Sequence, residues 1–186
     1  PSGDRYKNLQ RMLRHQRLHT VCHSAACPNM GECWSAGTAT FMILGNHCTR
    51  ACRFCDVLTS AKPPPVDLEE PHRLADAVEE MGLKHVVITS VARDDLSDGG
   101  ARQFVRCIEA VRTRRPDATI EILVPDFKGS LTSLQMITEA NPDIFNHNLE
   151  TVRRCTPKVR SGAEYDRSLE VLAAVKRLSP SLRTKS

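Results

Sequence analysis

Four short apolar runs constrain the architecture more than any other feature of this chain. "ATFMILG" ends at Gly45, "HVVITS" spans 85–90, "ATIEILV" spans 118–124 and "DIFNH" spans 143–147. Each has the length of a buried strand, and each is followed by a polar loop and then a stretch of helical periodicity. The helices are expected near Pro71–Met81, Ala101–Arg114, Leu131–Ala140 and Tyr165–Leu178. Their inward faces read Leu74, Val78 and Met81, then Phe104, Ile108 and Val111, and in the last helix Leu169, Leu172 and Val175. Pro71 suits a first helical turn and Gly82 a C-terminal cap, while Cys107 shares an inward face and reads as core. Repeated strand, loop and helix units call for parallel strands joined by right-handed crossovers, which gives an α/β fold: a partial (β/α) barrel or an open sheet. In both, loops converge where strands end, so the cysteine loop after strand one, "SVARDD", "VPDFKG" and "NHNLE" share one edge.

Ahead of the first strand the pattern changes. A helix over Asp4–Arg17 places Tyr6, Leu9 and Leu13 on one side, with Arg5, Lys7, Arg11, Arg14 and Arg17 on a solvated basic face. From Leu18 to Gly37 no period survives, and an irregular loop held by metal is expected. "AKPPPVDLEEP" reads as an extended, proline-stiffened connector. The division is then 1–38, N-terminal helix and cysteine-rich extension, and 39–186, barrel core. A net charge of +4 and 4% aromatics give little support to a nucleic-acid platform. No apolar run approaches the ~20 residues of a membrane helix, and the opening "PSGDRYKN" is unlike a signal peptide. Pro1 in place of methionine and the closing "SLRTKS", which resembles the lead into a fifth strand, raise the expectation of a longer polypeptide truncated at its C-terminus.

Six of the eight cysteines, Cys22, Cys27, Cys33, Cys48, Cys52 and Cys55, fall within 34 positions. A secreted disulfide framework fits poorly with a chain of 186 residues that lacks an export signal. Structural zinc is open, but neither triplet has paired C-x2-C spacing. Iron–sulfur ligation fits best. Cys48, Cys52 and Cys55 form C-x3-C-x2-C, three thiolates for a cube of four irons, which leaves one iron to bind a substrate or cofactor unless a distant side chain closes it. Arg50 and Arg53 flank these thiolates and read as surface residues. Cys155 has no partner at a useful spacing.

The run Cys48, Cys52, Phe54, Cys55 after a first barrel strand resembles the radical S-adenosylmethionine (SAM) superfamily. The earlier C-x4-C-x5-C triplet, together with "PNMGECW", "SVARDDLSDGGA", "LVPDFKG" and "FNHNLETV", resembles the lipoyl synthase family over nearly the whole chain. The resemblance implies two 4Fe-4S clusters: Cys48, Cys52 and Cys55 would hold the one that cleaves SAM, and Cys22, Cys27 and Cys33 a sacrificial auxiliary cluster. Phe54, Asn148, Glu150 and Arg160 are the expected SAM contacts, and no protein side chain is expected as the hydrogen abstractor, which is the 5′-deoxyadenosyl radical. The family's sulfurtransferase reaction inserts two sulfur atoms into an octanoyl chain on a lipoyl carrier domain, a dehydrogenase E2 subunit or glycine cleavage H protein, in lipoate biosynthesis. Ferredoxin or flavodoxin is the expected reductant. Oxygen-sensitive clusters imply the cytoplasm, or the mitochondrial matrix of a eukaryote. The family's C-terminal R-S-S-Y motif, which supplies a serine ligand to the auxiliary cluster, is not present in these residues.

The rival from another class is a non-catalytic iron–sulfur electron-transfer protein. Asp94 and Asp95 read equally as helix caps and as pocket residues. Asn148 reads also as a cap, Arg160 as a solvated loop arginine, and His147 as a buried strand-end histidine. The basic N-terminal helix is a candidate docking face for an acidic carrier.

Overall fold

The computed structural model describes residues 4–24 and 27–186, with side chains from residue 10 onward. The elements are α1 (Asp4–His15), β1 (His19–Thr20), α2 (Val21–Ser24), α3 (Met30–Ser35), β2 (Thr38–Ile43), β3 (His47–Cys48), β4 (Leu58–Thr59), α4 (Glu70–Glu80), β5 (His85–Ser90), α5 (Ala101–Arg114), β6 (Thr119–Leu123), α6 (Leu131–Glu139), β7 (Ile144–Asn146), α7 (Thr156–Val159), α8 (Tyr165–Leu178) and β8 (Arg183–Lys185). One sheet runs β1-β2-β5-β6-β7-β8. Its strands from β2 to β8 pair in parallel, and β1 joins antiparallel at the β2 edge. β3 and β4 form a separate two-stranded parallel pair around the cysteine loop.

The strands are apolar because one face of the sheet is sealed by helices. Phe41, Ile88, Ile122 and Phe145 lie in register across β2, β5, β6 and β7, each at most 1% exposed. They share one core with Leu74 and Val78 of α4, Phe104, Ile108 and Val111 of α5, Leu134 and Ile137 of α6, and Val171 and Val175 of α8. α4, α5, α6 and α8 pack side by side in that order. Burying each large side chain contributes about 1.5–3 kcal/mol. Cys107 belongs to this core, and burial pushes its thiol well above the ordinary range.

The opposite face mixes apolar and polar residues, and it leads to the site. The row Met42, Thr89, Leu123, Asn146, Lys185 lies in register one step beyond Thr40, Val87, Glu121, Ile144, Arg183. Glu121 is buried there and accepts from Asn146 Nδ2 (3.1 Å) and Lys185 Nζ (2.9 Å). Burial works to raise its pKa, but Lys185 and Asn146 outweigh burial and hold it low.

Several expectations change. Leu18–Gly37 is not structureless: it contributes β1, α2 and α3, and Met30 and Trp34 are buried in the core. Leu169 is 40% exposed, because the inward stripe of α8 is Ser168, Val171, Ala174 and Val175. The lead into a fifth strand is a strand, β8, parallel to β7. Of the N-terminal helix, Leu13 is buried as expected, and the side chains of Tyr6 and Leu9, like those of Arg5 and Lys7, lie outside the described residues. No helix among the described residues is long and apolar enough to cross a membrane.

Candidate cluster and cofactor site

β2 ends in a turn at Leu44 and Gly45, φ +66° and +79°, that delivers the chain to the cysteine loop at the C-terminal edge of the sheet. Three later segments fix this loop. After β5, Ala92 O accepts from Thr49 N (3.0 Å) and Thr49 Oγ1 (2.9 Å), and Asp94 N donates to Thr49 Oγ1 (2.9 Å). After β6, Asp126 accepts from Arg50 Nη2 at 2.6 Å. At the end of α7, Val159 O accepts from Arg53 N (2.9 Å). The cysteine loop is therefore held by backbone and charged contacts from distant strand ends, as a site needing fixed thiol positions requires.

Cys48, Cys52 and Cys55 line one cavity of about 190 Å³ together with Phe54, Asn148, Glu150 and Arg160. All four expected SAM-contact residues thus meet all three expected thiolates. Asn148 Nδ2 donates to Glu150 Oε1 (3.0 Å), and Glu150 takes φ +62°, a left-handed backbone uncommon for a side chain of its size. Arg160 is buried rather than solvated: Nη1 donates to Leu149 O (3.1 Å) and Ser168 Oγ (3.2 Å). His147 is 1% exposed, with Nδ1 2.8 Å from Val124 O, so the hydrogen sits on Nδ1. Burial lowers its pKa and keeps it neutral. Burial pushes the Cys52 thiol up, helped by Cys48 and Cys55 and opposed by the Ser161 backbone and Arg160. Binding metal there must displace a proton, so it favours higher pH.

Among the described residues no three His, Cys, Asp or Glu side chains converge as a single ion demands. The three thiols share a cavity wall without meeting at a point, a donor set for a group gripped at separate corners, as a cube of irons is. The three thiols of one short loop fit the donor set such a cluster would take, and Asn148, Glu150 and Arg160 line the same cavity.

Arg50 departs from expectation. It is 8% exposed and forks onto Asp94, Nε to Oδ2 at 2.7 Å and Nη2 to Oδ1 at 2.8 Å, besides its bond to Asp126. Arg53 is exposed, as expected. Asp94 therefore belongs to the site's support. Asp95 pairs instead with Arg93, and α5 is capped by Asp98, which accepts from Gly100 N (2.9 Å) and Arg102 N (3.0 Å). Spacing gave no signal for Arg50, and acidic residues at two strand ends were the available hint.

The second triplet lies on the N-terminal side. Cys22 is on α2 and Cys33 on α3; Cys27 N donates to Cys22 O (3.0 Å), and Cys33 N to Asn29 O (2.9 Å). All three are half-buried and pack against the core. A second, largely apolar cavity of about 370 Å³ runs between α2, through Val21 and Ser24, and the cysteine loop, through Phe54, Cys55, Val57 and Leu58.

The sequence model of the radical SAM superfamily matches residues 42–184. The chain belongs to the radical SAM superfamily. That membership implies a 4Fe-4S cluster and SAM, and it makes the sheet a partial radical SAM barrel. The chain is 55% identical over all 186 residues to lipoyl synthase of Rubrobacter xylanophilus, covering 58% of that protein. It is 57% identical over 182 residues, 97% of its length, to lipoyl synthase of Oceanobacillus iheyensis, again covering 58%. The chain therefore spans under two thirds of these curated relatives. Two solved structures align at 15% identity: the FeFe-hydrogenase maturase HydG from Carboxydothermus hydrogenoformans (TM-score 0.63, 76% of this chain and 34% of that one) and methylornithine synthase PylB (TM-score 0.57, 92% and 52%). They support the barrel architecture and nothing finer.

Proposed function

We propose that this chain is the cluster-binding part of a lipoyl synthase, which inserts two sulfur atoms into a protein-bound octanoyl chain. The observation that carries the reading is the meeting of Cys48, Cys52 and Cys55 with Phe54, Asn148, Glu150 and Arg160 around one cavity. Cys48, Cys52 and Cys55 hold the first 4Fe-4S cluster in this reading, and Cys22, Cys27 and Cys33 an auxiliary one. Bound there, the reduced cluster and SAM supply a 5′-deoxyadenosyl radical for hydrogen abstraction, and the auxiliary cluster supplies sulfur. Asn148 and Glu150 offer a donor and acceptors suited to ribose hydroxyls and the methionyl group, Arg160 its remaining N–H groups, and Phe54 an aromatic face near adenine.

The apolar cavity between α2 and the cysteine loop is of a kind that takes an alkyl chain, and it is lined by Cys55 and by Val21 and Ser24, which flank Cys22. Residues 1–38 form the auxiliary-cluster extension and 39–186 the barrel core. The partners are an octanoylated carrier domain and a ferredoxin or flavodoxin, and a reducing compartment follows from the clusters. Anaerobically reconstituted protein given SAM and dithionite should release 5′-deoxyadenosine, measured by chromatography. An electron carrier releases none, and that result overturns the reading. With octanoylated carrier present, the carrier's mass should rise by two sulfur atoms, two C–H groups becoming two C–SH groups in the reducing mixture; release of 5′-deoxyadenosine without that gain confines the function of these residues to radical generation.

A further inference from the structure

Arg50 sits between two cysteines of the loop, yet its side chain points away from solvent into a socket built by distant segments. Asp94, after β5, takes both prongs of the guanidinium fork at 2.7 and 2.8 Å, and Asp126, after β6, takes Nη2 at 2.6 Å. Asp126 has 0% side-chain exposure and also accepts from Lys128 N (3.1 Å) and Arg167 Nη1 (3.3 Å). The turn that presents it is strained: Phe127, Lys128 and Gly129 take φ of +45°, +51° and +77° in succession. Left-handed backbone at two non-glycine residues is unfavourable and persists only where the surroundings over-determine it. Gly162, at φ +71°, closes the socket, and a Cβ there would lie 3.4 Å from Arg50 Nε. On the thiol side, Arg50 N lies 3.4 Å from Cys48 Sγ.

We infer that Arg50 is a positioning residue: by fastening the cysteine loop to the segments after β5 and β6, it holds the thiols against the wall of Asn148, Glu150 and Arg160 and thereby sets how tightly SAM engages. This rests on the proposed function. The role is one of shape rather than charge, because Asp94 and Asp126 already neutralise the guanidinium. Lysine retains the charge but lacks the planar fork that spans two carboxylates, so Arg50→Lys separates the two roles.

The test uses anaerobically reconstituted protein, with iron and sulfide content, thermal melting, and the electron paramagnetic resonance spectrum of the dithionite-reduced cluster titrated with SAM. Arg50→Lys and Asp94→Asn are expected to load iron, with half-maximal spectral change at SAM concentrations raised by about tenfold or more, since small misplacements of a reacting geometry have effects of this size. Asp94 is partly exposed, so its variant tests the idea should Arg50→Lys fail to fold. Titrations matching wild type in both variants, or in the foldable one, overturn the inference while leaving the proposed function intact. A wild-type cluster whose spectrum ignores SAM removes the proposed function and the inference together.

Discussion

Replacing Asp126 with asparagine isolates the electrostatic part of the Arg50 socket. The substitution keeps the side-chain volume and one acceptor but removes a buried charge 2.6 Å from Arg50 Nη2 and 3.3 Å from Arg167 Nη1. Removing one partner of a buried ion pair costs about 3–5 kcal/mol, and because Arg50 keeps its fork on Asp94 the lower end, about 3 kcal/mol, is expected. Set against a typical domain stability of about 5–15 kcal/mol, that loss is large. With a urea slope of about 2 kcal/mol/M, the unfolding midpoint should fall by about 1.5 M at neutral pH. Burial by itself would raise the pKa of Asp126, but the hydrogen bond and charge of Arg50 outweigh burial and hold it below the ordinary 3.8. A depressed carboxylate stabilises the folded state fully above its unfolded pKa and loses that contribution as pH falls through its folded pKa. The gap between wild type and Asp126→Asn should therefore be constant above about pH 5 and narrow below about pH 4. A neutral-pH difference under about 1 kcal/mol, or a gap that does not narrow in acid, refutes the assignment of a stabilising buried pair.

Two further outcomes follow from other parts of the molecule. Gly100→Ala places a Cβ 2.3 Å from Leu44 Cδ1 at φ +92°, and should lose about 2–5 kcal/mol by circular dichroism melting, from left-handed strain and overpacking combined; adding Leu44→Ala should recover part of it, and strict additivity of the pair would show that the clash is not the cause. Replacing exposed Arg11, Arg14 and Arg17 with glutamine should slow use of an acidic octanoylated carrier by about tenfold at low salt and far less at high salt, and equal rates at low salt remove the basic helix as a docking face.

The elements that could be read from sequence are those whose burial is written locally. β5 and β6 are apolar runs because helices seal one face, and α5 and α8 begin and end where expected because Gly100 precedes the one and polar residues with Pro180 follow the other. α2 and α3 were missed for the converse reason: at four and six residues they are too short to show a period, and Trp34 is buried by tertiary packing alone. Leu169 misled because a leucine at helical spacing looks inward, whereas Ser168 takes the inward place to meet Arg160. The same limit governs the site. Cysteine spacing marked the thiols because they share one short loop, whereas Asn148, Glu150 and Arg160 came only from the family resemblance, and by themselves they read as a cap, a polar residue and a solvated arginine. The socket of Arg50 joins partners 44 and 76 positions away, and a single arginine in a polar loop carries no local mark of whether water or two carboxylates will surround it. Ligands that grip a group from one short loop leave a pattern in the chain; the contacts that aim that loop come from other strand ends, and only the folded sheet brings them together.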